Sequence, residues 1–283
     1  MGGGRRGRRR PGRRHLARLT LVRLPEPFDY ALSTSRFQAF GTDLANRFVD
    51  GVLHRAIGGR DVAIAPTTGG VDVEPLDDET RPVVMKLLGA PFDLDNFYDW
   101  ASGPMRTLTQ RLRGFRPPLQ PSAFEALVTS ITAQQVSLIS AVAIRNRLIE
   151  RFGERVGEVW AFPTRERIAD AHEDELFAVG FTHRKAEYAV ALARSDVDLD
   201  ALALLPDDEV RATITAQRGL GPWTAEWFLA RHLARPHAWP AGDLVLRKAA
   251  LSLYGVDVHE LGAQLDPFQN LSAHYLLMGT LVT

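Results

Sequence analysis

No cysteine occurs among the 283 residues. That excludes disulfides, thiolate zinc sites, cysteine nucleophiles and cysteine-held iron–sulfur clusters together. It gives no sign of an oxidising compartment, so a cytoplasmic location is expected. Long apolar runs are missing as well: none approaches the roughly 18 residues of a membrane span. Arg18 and Arg23 interrupt the apolar stretch His15–Leu24, which argues against a secretion signal. Metal-ligand spacing such as HExxH is absent, so His172, His183, His232, His237, His259 and His274 are read as surface or core residues. The chain has no Gly-x-Ser-x-Gly elbow, Walker sequence or dinucleotide fingerprint.

Net charge is also lacking, at +0, but the balance is uneven. Seven arginines (Arg5, Arg6, Arg8, Arg9, Arg10, Arg13 and Arg14) crowd the first 14 residues, leaving 27 basic against 34 acidic residues elsewhere. Residues 1–15 read either as a disordered arm touching phosphate or as a solvated extension without a role. An anion-binding face on the acidic remainder must be a local patch, since bulk charge opposes it.

With 45% hydrophobic and 24% charged residues, the chain reads as a soluble globular protein long enough for more than one core. Residues 16–100 are expected to form a mixed α+β domain. Leu16–Leu24 and Asp61–Ala65 alternate as strands do, Gly69–Glu74 follows a Thr-Gly-Gly turn, and Ser35–Leu53 suits a strand with its turn or a short helix. Residues 101–283 are expected to be helical. Ser122-Ala-Phe-Glu125 reads as a capping box opening a periodic stretch that ends at Gly153, with Ser137 capping a second helix after Gln134-Gln135. Further helices are expected after Thr164, over Glu173–Val179, after Thr182 and after Pro206, then over Pro222–Leu233 and over Leu244–Tyr254, stopped by Gly255.

Val210–Leu233 reads as helix, tight Gly219-Leu220-Gly221 turn, helix. Glycines two apart free the backbone to turn and expose amides at the next helix start, an anion site, although an ordinary helix corner would look the same. Trp223 and Trp227, four apart, share a helix face, and Trp239-Pro240-Ala241-Gly242-Asp243 follows. Aromatic rings near a carboxylate suit an enzyme that stacks a flipped base and attacks its sugar. Helix-to-helix packing would account for the tryptophans equally, and helix capping for Asp243.

Ile131-Thr-Ala-Gln-Gln-Val-Ser137, Gly219-Leu-Gly-Pro-Trp-Thr-Ala225 and Pro240-Ala-Gly-Asp243 resemble the helix-hairpin-helix glycosylase superfamily, most closely its bacterial 3-methyladenine DNA glycosylase II branch. Pro27-Phe-Asp-Tyr30 is more faintly similar to the opening of that branch. The resemblance implies a mainly helical fold with an N-terminal α+β domain and two helical subdomains around a cleft. It implies a monomeric enzyme of base excision repair acting on damaged double-stranded DNA, with alkylated purines as substrates. Deaminated or etheno bases are the alternative, as is a non-enzymatic damage-binding protein.

By the same resemblance Asp243 is catalytic, Trp223 and Trp227 line the base pocket, and Gln135 is the wedge that fills the gap left by the flipped nucleotide. Gly219, Leu220 and Gly221 would bind phosphate. No cofactor is required, but the carbonyls of Thr215, Gln217 and Leu220 could hold a structural sodium or potassium ion. Trp223 stands where strand-cleaving members carry a lysine nucleophile, which implies hydrolysis that leaves an abasic site. Arg218 replaces a proline usual before the hairpin, Leu277 a tryptophan, and Gln269 an arginine.

Overall fold

Residues 20–281 are described in the computed structural model; the basic tail and Leu16–Leu19 lie outside the described residues. Five strands, β1 (Thr20–Arg23), β2 (Asn46–Val49), β3 (Val52–Ile57), β4 (Arg60–Thr67) and β5 (Gly70–Glu74), form an antiparallel sheet in the order β1-β5-β4-β3-β2. Tight turns at Asp50-Gly51 and Gly58-Gly59 use positive φ, which fixes the register of these hairpins. Leu53 and Ile57 of β3 and Val62 and Ile64 of β4 point to one buried face. Val84 and Leu87 of α2 (Thr80–Leu87) pack against that face, and α1 (Tyr30–Thr34) anchors to it through Tyr30, whose hydroxyl donates to the Ile64 carbonyl at 2.8 Å. Both readings of Ser35–Leu53 are present, as a short 3-10 turn at Ser35–Phe37 and as β2 with its turn.

The remainder is helical apart from one ribbon, β6 (Glu154–Val156) and β7 (Val159–Ala161), that the expectation of an all-helical region missed. Three-residue strands carry too little alternation to be read from sequence. The helices are α3 (Leu94–Trp100), α4 (Gly103–Arg111), α5 (Ala123–Ala133), α6 (Leu138–Phe152), α7 (Arg165–Ala169), α8 (Glu173–Ala178), α9 (His183–Arg194), α10 (Asp207–Thr215), α11 (Pro222–Arg231), α12 (Leu244–Tyr254), α13 (Val258–Gln264) and α14 (Gln269–Gly279). Among the described residues no helix is long and apolar enough to cross a membrane. Oxygen side chains cap most starts as expected: Ser137, Thr164 and Thr182 each accept the amide three residues on. Gly255, at φ +70°, ends α12.

Helices α5–α11 share one core around Leu127, Leu148, Leu176 and Phe228. A second core joins α3 and α4 to α12–α14. The domain boundary expected at residue 100 therefore needs correcting. Phe97 lies 5.0 Å from Tyr275 and 5.5 Å from Phe268, ring to ring, so α3 belongs with the C-terminal helices. Chain order concealed this, because the partners are more than 170 residues apart.

The capping box is corrected too. Ser122 accepts the Glu125 amide at 3.3 Å, but the Glu125 side chain does not fold back. It takes Arg145 Nη2 at 2.6 Å, Arg55 Nη1 at 3.1 Å and Arg55 Nη2, while Arg145 Nη1 reaches Asp43 at 2.6 Å. Burial alone would raise the Glu125 carboxyl, yet Arg55 and Arg145 hold it below the usual range. Glu125→Gln should leave two buried guanidiniums short of charge and cost about 3–5 kcal/mol in urea unfolding. A loss under 1 kcal/mol would show that the cluster contributes little.

His232, at the end of α11, is buried with Nδ1 2.7 Å from the Gln120 carbonyl. Burial and nearby Lys86 push it down to about 4. Between pH 6.5 and 4 the unfolded chain binds a proton there that the folded one refuses, so stability falls as pH falls through that window. His232→Asn should make the decline in melting temperature shallower over that range; an unchanged slope would contradict this.

Candidate active site

The α10–α11 connection is a tight turn. Gly219 has φ +83°, and a Cβ there would sit 2.1 Å from the Tyr188 ring, so glycine is required both for backbone and for space. Gly221 is the N-cap of α11, and its carbonyl accepts the Thr224 and Ala225 amides at 2.9 and 3.1 Å. Gln134 Nε2 donates to the Gly219 carbonyl at 3.0 Å and ties this hairpin to the α5–α6 turn. The next residue, Gln135, is exposed with φ +54°, a knuckle projecting from that turn. Exposed Val136 and Ile139 flank it. Arg218 pairs with Glu187 at 2.7 Å rather than standing free.

The hairpin's carbonyls also suit a cation. Gln217 O accepts the Leu220 amide at 3.1 Å with one lone pair left, while the Thr215 and Leu220 carbonyls take no amide from the turn. Hard monovalent ions favour such oxygen donors. No cluster of His, Cys, Asp or Glu able to hold a metal exists among the described residues.

Asp243 is the N-cap of α12. Its Oδ1 accepts Val245 N at 3.0 Å and Leu246 N at 3.2 Å, and its Oδ2 accepts the Trp227 indole N–H at 3.2 Å. Capping and an oriented free edge are thus combined in one carboxylate. The loop before it is clamped by Glu226, which takes Arg211 Nε at 2.6 Å and the Trp239 amide at 2.9 Å. Trp239 Nε1 in turn donates to Val258 O at 2.9 Å. Trp223 lies along Gly242: a Cβ there would meet its Cδ1 at 3.6 Å. One indole therefore stands beside the carboxylate and is half-buried.

Trp227 is 2% exposed and edge-on to His274, and the Arg231 guanidinium lies 3.5 Å from its ring centre. It lines a cavity and also holds Asp243 through its indole N–H. Leu277 is likewise buried in the first helical core, and Gln269 Nε2 bonds Asp266 at 2.9 Å.

The cavity, of about 160 Å³, is lined on one side by Trp223, Trp227 and Arg231, while Asp243, Leu277 and Gln269 are not among its lining residues. Its walls come from α5, α6 and α11 and also from the N-terminal domain, through Arg36, Phe37 and Phe40. The cavity thus lies between the first helical core and the N-terminal domain, and none of its lining residues comes from α12–α14. A larger hollow, about 710 Å³, lies near Tyr30, Asp50 and Met278 and includes no residue of the hairpin, the Gln135 turn or the Asp243 loop. Sequence reasoning missed Arg36, Arg231 and His274. Burial, reinforced by the two arginines, keeps His274 neutral, and burial first and Arg36 second lower the Arg231 guanidinium despite the attraction of Asp243. Only the arginine-aromatic spacing of Trp227 and Arg231, four apart on one helix, could have hinted at this.

Residues 128–264 match the HhH-GPD superfamily of base excision DNA repair proteins. Over that segment the chain is similar to the helix-hairpin-helix glycosylase superfamily. It is 30% identical over 189 residues to a DNA-3-methyladenine glycosylase of Bacillus subtilis and 32% identical over 179 residues to DNA-3-methyladenine glycosylase 2 of Escherichia coli. Each match spans 62% of this chain, and 62% and 60% of those proteins. The solved 3-methyladenine DNA-glycosylase of Archaeoglobus fulgidus superposes with a TM-score of 0.82 at 27% identity, covering 91% of this chain and 96% of that one. A superfamily hairpin needs its first glycine more than its second here. Gly219→Ala should cost about 1–3 kcal/mol in urea unfolding, whereas Gly221→Ala, with open space and φ −102°, should cost under about 1 kcal/mol. Equal losses would contradict that account.

Proposed function

We propose that the protein is a monofunctional DNA glycosylase of base excision repair, releasing alkylated purines of the 3-methyladenine and 7-methylguanine type from double-stranded DNA. The observation that carries this reading is Asp243, fixed by two α12 amides and the Trp227 indole, with Trp223 beside it. The names of the relatives support the same substrate class.

In this reading a damaged nucleotide swings out of the duplex and its base enters the cavity, stacking on Trp223. Gln135 fills the space left behind. Phosphates rest on the Gly219-Leu220-Gly221 turn, where the carbonyls of Thr215, Gln217 and Leu220 would hold a sodium or potassium ion that would supply positive charge. As the bond from C1′ to the base nitrogen breaks, its electron pair leaves with the base, and the sugar acquires oxocarbenium character. The free edge of Asp243 stabilises that charge and orients the water that adds to C1′. An alkylated purine is already cationic and leaves without a general acid. Trp223 cannot form a Schiff base, so the product is an abasic site with an intact strand. The protein acts as a cytoplasmic monomer.

Asp243→Asn keeps the cap but loses the charge, so release of 7-methylguanine from a duplex should fall by about 10²–10³-fold with the fold intact. Trp227→Phe removes only the N–H that positions the carboxylate and should lower kcat about 10–100-fold with little change in KM. Borohydride should trap no covalent enzyme–DNA complex. Wild type that releases no base, or a trapped complex, would overturn the reading.

A further inference from the structure

The cavity is over-supplied with positive charge. Its lining includes Arg36, Arg55, Arg145 and Arg231 against only Asp43 and Glu125. Arg55 and Arg145 are consumed by those two acids. Arg36 and Arg231 are not: neither guanidinium makes a hydrogen bond to any described residue, and Arg231 Nε is buried without a partner. Asp243 attracts both, yet its three acceptor bonds go to Val245, Leu246 and Trp227. Two arginines thus share one carboxylate and present unmet donors to a cavity the size of a single heterocycle.

We propose that Arg36 and Arg231 are specificity-determining residues that read a carbonyl oxygen on the flipped base, making 6-oxopurines the preferred substrates over 6-aminopurines. This rests on the base-flipping reading above and narrows its substrate class. A carbonyl accepts from the guanidiniums, whereas an exocyclic amino group meets them donor to donor. For a neutral 6-oxopurine, cleavage of the bond from C1′ to N9 leaves the electron pair on the base, delocalised onto O6. The guanidiniums stabilise that anion until N9 takes a proton from water, and the attacking water gives its oxygen to C1′ and its proton to Asp243 or solvent. Hypoxanthine and 7-methylguanine carry the acceptor; 3-methyladenine does not.

The test has two arms. Free hypoxanthine and free adenine are titrated into the full chain, read by quenching of tryptophan fluorescence. Base release is then followed in single turnover from a hypoxanthine duplex and from methylated DNA yielding both 7-methylguanine and 3-methyladenine. Expected results are at least tenfold tighter binding of hypoxanthine than adenine, and a 7-methylguanine to 3-methyladenine rate ratio, each normalised to its uncatalysed loss, that falls at least fivefold in Arg36→Met and in Arg231→Gln. Circular dichroism confirms that the variants fold. Equal affinity for the two free bases overturns the proposal, as does an unchanged ratio. Uniform weakening of duplex binding with that ratio unchanged would make the pair a phosphate contact instead. Absence of any base release with hypoxanthine still preferred would sink the glycosylase reading and leave the carbonyl reader standing.

Discussion

Glu125 occupies the first turn of α5, where a carboxylate ordinarily folds back onto its own helix start. Here it turns inward and is shared between Arg55 of β3 and Arg145 of α6. Three segments that are far apart in sequence meet at one buried charge, with Asp43 completing the set. None of the four could be left alone without an uncompensated ion, so they act as a unit. The consequence is positional. The cluster fixes the N-terminal sheet against the first helical subdomain, and the 36–40 segment beside it becomes the third wall of the cleft. Without that lock Arg36 would have no defined place near Asp243.

Within the cleft the same economy of partners recurs. Glu226 holds the loop carrying Trp239, Trp227 holds Asp243, and Arg231 covers Trp227. α11 therefore supplies three of the groups that place the carboxylate, all from one side of one helix and its edges. Asp243 itself is held by backbone amides as well as by the indole, so its position depends on α12 forming. A carboxylate that is also a helix cap is rigid at little cost, since the cap is needed for the helix in any case.

Much of this was legible in the sequence wherever a local rule governs. Gly219 needs a left-handed backbone, Ser137 and Thr182 need only the amides three residues on, and Asp243 precedes an apolar run ended by Gly255. Each is decided within one helical turn, and each lies where the pattern placed it. The failures share the opposite cause. Glu125 obeyed a tertiary partner over the local capping pattern, and Phe97 joined ring partners at Phe268 and Tyr275. Trp227 has the spacing of a pocket wall and lines the cavity, but its bond to Asp243 and its cover by Arg231 are encoded in no periodicity. Arg36 lay in a stretch read only as strand or short helix, and nothing local marked it as facing Asp243.

The arginine pair also settles how the acidic body and an anionic ligand can coexist. Outside the basic tail the chain carries a surplus of acidic groups, so long-range attraction to DNA is weak and screened over about a Debye length. Inside the cleft the sign reverses, and it reverses where water is scarce and each unmet donor matters most. Arg231 Nε is buried without a hydrogen-bond acceptor although its guanidinium lies over Trp227, and a donor left so destabilises the fold. Natural structures tolerate that expense chiefly where a ligand supplies the missing acceptor. The stability that Glu125 contributes by joining the domains offsets that cost.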